Sequence, residues 1–140
     1  MGVDGLNDGQ IRELLAGTKR IALVGASNKP ERPSYGVMRF LLDNGFEVVP
    51  VNPGLAGQKL LGQQVVASLE EAGPLDMVDL FRNAADVGPP VAEAIRLGAR
   101  SVWMQLGVIN EAAAASAREA GLKVVMDRCP AIEMPRLGMI

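Results

Sequence analysis

Five short apolar runs, each closed by a turn signal and set apart by sequence of helical period, constrain this chain more than any other feature. The runs are residues 20–24, 46–51, 76–81, 101–104 and 123–126. The first, residues 20–24, is an unbroken apolar run of the kind that suits a parallel strand with both faces covered. Between them Tyr35, Met38, Leu41 and Leu42 recur at helical steps before Asn44-Gly45, and Val87, Val91, Ala94 and Ile95 do the same, with Pro89 and Pro90 in the first turn, where a missing N–H costs little. Asn110 can cap an alanine-rich helix that runs to about Ala120, with Gly121 as its stop. Residues 1–17 read as an N-terminal packing segment whose helix carries Ile11, Leu14 and Leu15, capped by Asn7 or Asp8 and ended by Gly17. With 140 residues, this alternation predicts one α/β domain: a Rossmann-like, doubly wound parallel sheet of about five strands with right-handed crossovers.

Three segments resist this pattern. Pro50 and Pro53 cannot continue a central ladder, so the second strand closes there. Residues 55–66 fit either a short edge strand or an irregular connection, and Ser68-Leu69-Glu70-Glu71 reads as one capped helical turn. After the fifth strand, Pro130 and Pro135 argue against any long element before Ile140.

Composition narrows the chemistry. The 14 basic and 16 acidic residues give a net charge of −2, so no global field favours nucleic acid or an anionic membrane. No apolar run approaches the roughly 20 residues of a membrane span, and the first residues carry no signal-peptide pattern, so a cytosolic home is expected. Histidine is absent and Cys129 is the one cysteine, which removes a histidine base, a Cys/His zinc cluster and an internal disulfide. No clustered Asp/Glu pattern suggests a metal, and no constellation suggests catalysis, so the expectation is a binding protein rather than an enzyme.

Doubly wound sheets place ligands beyond the carboxyl ends of their strands. The residues following each strand are Gly25-Ala26-Ser27, Asn52-Pro53, Phe81-Arg82-Asn83, Gln105-Leu106-Gly107 and Arg128-Cys129. They offer uncovered backbone, amides, cations and an aromatic ring. The small residues of the first turn and the helix opening near Ser34 suit a phosphate, with Arg32 close by. That turn alone serves equally as a plain tight strand-to-helix connection. Lys29 reads better as a solvated loop charge. A nicotinamide dinucleotide normally calls for an acidic residue at the end of the second strand, and Asn52 stands there instead. Trp103 reads as core, Cys129 as a small buried residue or a partner for a thiol, and Arg82 and Arg128 as ligand contacts or as ion-pair partners of Asp79 or Asp127.

Taken in order, Val24-Gly25-Ala26-Ser27, Arg32-Pro33-Ser34, Pro50-Val51-Asn52-Pro53, Phe81-Arg82, Val102-Trp103-Met104-Gln105-Leu106-Gly107 and Asp127-Arg128-Cys129 resemble the signature of the small stand-alone CoA-binding proteins. That family is similar to the CoA-binding domain of the succinyl-CoA synthetase alpha subunit. The resemblance spans about residues 18–137. It implies coenzyme A, or an acyl-CoA, along the strand ends. Gly25, Ala26 and Ser27 would face the pyrophosphate, with Arg32 and Ser34 as nearby anion contacts. Asn52 and Pro53 would lie near the adenosine, Phe81 and Arg82 further along, and Gln105 and Gly107 towards the pantetheine. The 3′-phosphate would meet Arg32, Arg82 or Lys59. The synthetases' phosphorylated histidine has no counterpart here, so ligase activity does not carry over. Two other readings stay open: an NAD(P)-binding oxidoreductase domain, and the CoA subunit of an acyl-CoA ligase with an ATP-grasp partner. A homodimer is compatible with the chain, although no spare apolar stripe argues for one.

Overall fold

In the computed structural model, which describes residues 2–140, the five apolar runs form one parallel sheet. Along the chain, α1 (Asp8–Ala16) leads to β1 (Arg20–Val24), α2 (Pro33–Asp43), β2 (Glu47–Val51), the two-residue strands β3 (Lys59–Leu60) and β4 (Gln63–Gln64), and β5 (Met77–Leu80). Then follow α3 (Gly88–Arg96), β6 (Ser101–Met104), α4 (Glu111–Glu119), β7 (Lys123–Val125) and α5 (Pro130–Arg136). The order across the sheet is β2-β1-β5-β6-β7. The chain therefore runs outward from β1 to β2 and then crosses back to β5, and this reversal is the switch point of a doubly wound sheet.

Each strand divides its side chains between two cores. Ala22, Val24, Val78, Leu80, Val102 and Met104 face the layer of α3 and α4, where Val91, Ala94, Ala113, Ala114 and Ala117 are buried. Ile21, Leu23, Met77, Trp103 and Val125 face the layer of α1, α2 and α5, packed with Ile11, Leu15, Met38, Leu41 and Met134. The small alanines of α4 let it sit close on the sheet. The large side chains of the other face are each worth about 1.5–3 kcal/mol on full burial. Trp103 is fully buried there and its indole N–H donates to the Arg128 carbonyl at 2.8 Å, which makes it core, as expected. Asn7 caps α1 through a reciprocal capping box with Gln10.

The ambiguous segments resolve through their prolines and glycines. β2 is the edge strand of the five-stranded ladder, and the Pro50 carbonyl accepts from Val66 N on the outer side, away from β1. The missing Pro50 N–H faces that side too, so the inner ladder with β1 loses nothing. Val66 bridges Val51 in parallel and stands where a further strand would sit. Residues 55–66 thus hold a tight hairpin, β3–β4, whose turn residues Leu61 and Gly62 both have positive φ. The expected turn at Ser68 lies one residue later, at Glu70–Ala72, and no side chain caps it. At the end of the chain, α5 forms despite its two prolines. Pro130 opens it, where no N–H is needed, and seven residues are short enough to absorb Pro135. Among the described residues no helix is long and apolar enough to cross a membrane.

Candidate functional site

The carboxyl ends of β1, β5 and β6 open onto a cleft of about 870 Å³, large among small-molecule sites and extended rather than enclosed. Gly25, Ala26, Ser27, Arg32, Ser34, Asn52, Phe81, Arg82, Gln105 and Gly107 all line it, and Pro53 lines an adjoining cleft that shares Gly25, Asn52, Phe81 and Arg82. Lys59, in the hairpin, lines neither. Pro33 and Asn83 line it too, and the tertiary structure also brings in Asn28, Val37, Gly54, Leu55 and Val108, whose positions no motif marked.

Gly25 has φ +87°, and a Cβ built on it would stand 2.2 Å from the Phe81 carbonyl oxygen. Any side chain there must displace β5's exit, so the glycine is required by backbone packing before any ligand arrives. Its amide and that of Ala26 both donate to the Val51 carbonyl, at 3.1 and 3.3 Å. The expectation that these N–H groups stand uncovered is therefore corrected: the turn is closed against the end of β2. Among the described residues the amides of Ser27 and Asn28, next in the turn, have no hydrogen-bond partner. Next to them α2 opens with Arg32 at its N-cap, without a side-chain cap, and Ser34 buried in its first turn. The positive end of an 11-residue helix therefore faces the cleft.

Asn52 explains how the turn is held. Its side-chain N–H₂ donates to the Ala26 carbonyl at 2.7 Å, and its oxygen accepts from Gly54 N at 2.8 Å. It staples the exits of β1 and β2 together with both halves of its amide. Gly107 is similarly occupied: its N–H donates to Asp127 Oδ1 at 2.8 Å, joining the exits of β6 and β7.

The charges are one-sided. Lys29, Arg32 and Arg82 line the cleft, and no Asp or Glu does. Among the described residues none of these three cations forms an ion pair. Arg128 behaves differently. It pairs with Asp4 at 2.8 Å and with Glu133 at 2.7 Å, and not with Asp79 or Asp127, so it is structural. Burial alone would raise the Asp4 carboxyl, but the guanidinium and the amides of Leu6 and Met126 hold it below its ordinary range.

Beneath the floor lies a pair the motif reading passed over. Asp79 is fully buried, and the Gln105 side-chain N–H donates to its Oδ1 at 2.6 Å while Oδ2 has no partner. Burial pushes the Asp79 carboxyl up to about 7, and the Gln105 hydrogen bond offsets only part of that. With its nitrogen committed to Asp79, Gln105 keeps its oxygen as the free end. The signal was available: an acid inside the apolar run Met77-Val78-Asp79-Leu80. Cys129 sits in the cleft wall, and burial pushes its thiol up, so it is a neutral, small apolar neighbour.

A strand-order reversal, a glycine turn against it, a helix N-terminus and unpaired cations define a doubly wound α/β domain with a cleft at its switch point whose lining suits an anion. More particularly, the chain belongs to the CoA binding domain family, which matches residues 19–135. It is 39% identical over 121 residues to the uncharacterized protein YneT of Bacillus subtilis, covering 86% of this chain and 88% of that one. A hypothetical protein from Pyrococcus horikoshii superposes with a TM-score of 0.93 at 42% identity, over 98% of this chain and 96% of its own. An acetyl-coenzyme A synthetase of Ca. Korarchaeum cryptofilum shares the fold over 80% of this chain and 26% of its own length, at 21% identity and a TM-score of 0.68.

Proposed function

We propose that this chain binds coenzyme A in the cleft and does no chemistry on it. The observation that carries the reading is the lining: three unpaired cations, two free amides beside a helix N-terminus and no carboxylate, in a protein of net charge −2. The pyrophosphate sits at Ser27, Asn28 and the start of α2, with Arg32 over it. Gly25 and Ala26 shape that seat with their backbone. Arg82, shared by the two adjoining clefts, meets the 3′-phosphate, and the adenosine packs towards Asn52, Pro53 and Phe81. The pantetheine runs past Gln105, whose oxygen accepts from one of its amide N–H groups, to the Gly107 turn.

The same lining argues against a nicotinamide dinucleotide, because the ribose hydroxyls find no acid after β2 and the Asn52 amide is already spent on Ala26 and Gly54. A thermal-shift comparison of CoA, acetyl-CoA, NAD, NADP and FAD tests the reading. CoA at a hundredfold excess over its Kd stabilises by about 2.7 kcal/mol, a shift of several degrees. Arg82→Ala, an exposed site, leaves the unliganded Tm in place and weakens CoA by about tenfold or more. A ranking with NAD or NADP above CoA overturns the proposal.

A further inference from the structure

Next to the β6 and β7 exits, the cleft continues into a second, smaller hollow of about 150 Å³. Leu106 and Cys129 line both, so the two adjoin at the end furthest from β2. The hollow's other apolar walls are Val3, Met126 and Ile132. Val3, Leu106 and Ile132 are among the few large apolar side chains the protein leaves exposed, at 53%, 56% and 52%, and all three meet here. Single exposed apolar residues need no explanation, but three converging at the mouth of a cleft do. Three charged side chains, Asp127, Arg128 and Glu133, also line the hollow. Arg128 is paired with Asp4 and Glu133, and one oxygen of Asp127 accepts from the Gly107 amide.

We infer that this hollow is an acyl subsite, and that the preferred ligand is a thioester of CoA carrying a short unbranched aliphatic chain. The inference rests on the CoA reading above. A ligand whose phosphates sit at Ser27 and Arg32 and whose pantetheine passes Gln105 ends with its sulfur beside Leu106 and Cys129, and whatever the sulfur carries enters the hollow. A cavity of this volume, with Val3, Leu106, Met126 and Ile132 among its walls, takes about six carbons. The uncharged Cys129 thiol belongs to this wall as a packing group, and no bond to it is required.

The test is calorimetric titration of the full chain with CoA, butyryl-CoA and hexanoyl-CoA, repeated on the double variant Val3→Ser, Ile132→Ser. Both side chains are half exposed and outside the main cleft, so the variant folds and binds free CoA as the native chain does. Each methylene buried fully is worth about fourfold in affinity, and the hollow is open on one side, so hexanoyl-CoA is expected to bind roughly tenfold more tightly than CoA, with butyryl-CoA between. In the double variant that gain falls below about threefold. Equal affinity for CoA and hexanoyl-CoA, or a gain that survives in the variant, overturns the subsite and leaves CoA binding standing. Absence of binding by all three ligands overturns the CoA reading and the subsite with it.

Discussion

At position 79 a carboxyl group interrupts an apolar strand, and its protonation links the cleft floor to stability. The unfolded chain releases this proton near pH 4, whereas burial holds the folded value at about 7. In that window the folded protein carries a proton the unfolded chain has lost, so its stability falls as pH rises from about 4 to 7 and levels off above. The carboxyls of Asp4, Asp76 and Glu133 are shifted the other way, so their contribution is complete above about pH 4 and is lost below it. The two effects therefore separate. Between pH 5 and pH 8 the protein should lose roughly 2 to 3 kcal/mol of unfolding free energy, and Asp79→Asn should flatten that slope. Urea unfolding at the two pH values checks it, and an undiminished slope in the variant would assign the titration to another group.

At the scale of elements, the N-terminal segment, the exit of β7 and α5 are tied by charge as well as by apolar contact. Asp4 is buried and accepts from Arg128, Leu6 N and Met126 N, while Glu133 receives both Arg128 and Arg136. Removing the cation leaves the buried Asp4 carboxylate with backbone donors alone, while Glu133 keeps Arg136. Arg128→Ala should cost about 3–5 kcal/mol, and Arg128→Lys should recover only part, since an ammonium cannot span both acids as the planar fork does. A loss under about 1 kcal/mol in denaturant titrations would show these pairs to be no stronger than exposed ones. This link was invisible locally. The sequence offers Asp79 and Asp127 as partners for Arg128, whereas the actual partners are Glu133, five positions away, and Asp4, 124 positions away.

For the whole molecule, the cleft draws its lining from the exits of β1, β2, β5, β6 and the start of α5, all within one chain. Binding of CoA should accordingly proceed with the purified chain alone, at one ligand per chain by calorimetry. If titration stays flat until an ATP-grasp protein is added, the ligase-subunit reading takes precedence.

The order of strands and helices was readable from apolar periodicity because each run had to bury both faces, and the glycine turn, Asn52 and Arg82 were readable because strand exits of this topology converge. The identity of the stretch at residues 55–66 was not, since a two-residue strand leaves no periodicity. Composition and order thus decided the class of fold and the edge of the sheet on which the cleft opens. Which groups remain available to that ligand was decided only by three-dimensional accounting. Val51 takes the amides of Gly25 and Ala26, Asn52 clamps the turn, and Asp79 fixes Gln105, and each of these bonds joins residues at least 25 positions apart. A hydrogen-bonding group has only so many partners, and which ones it has taken is a property of the folded chain.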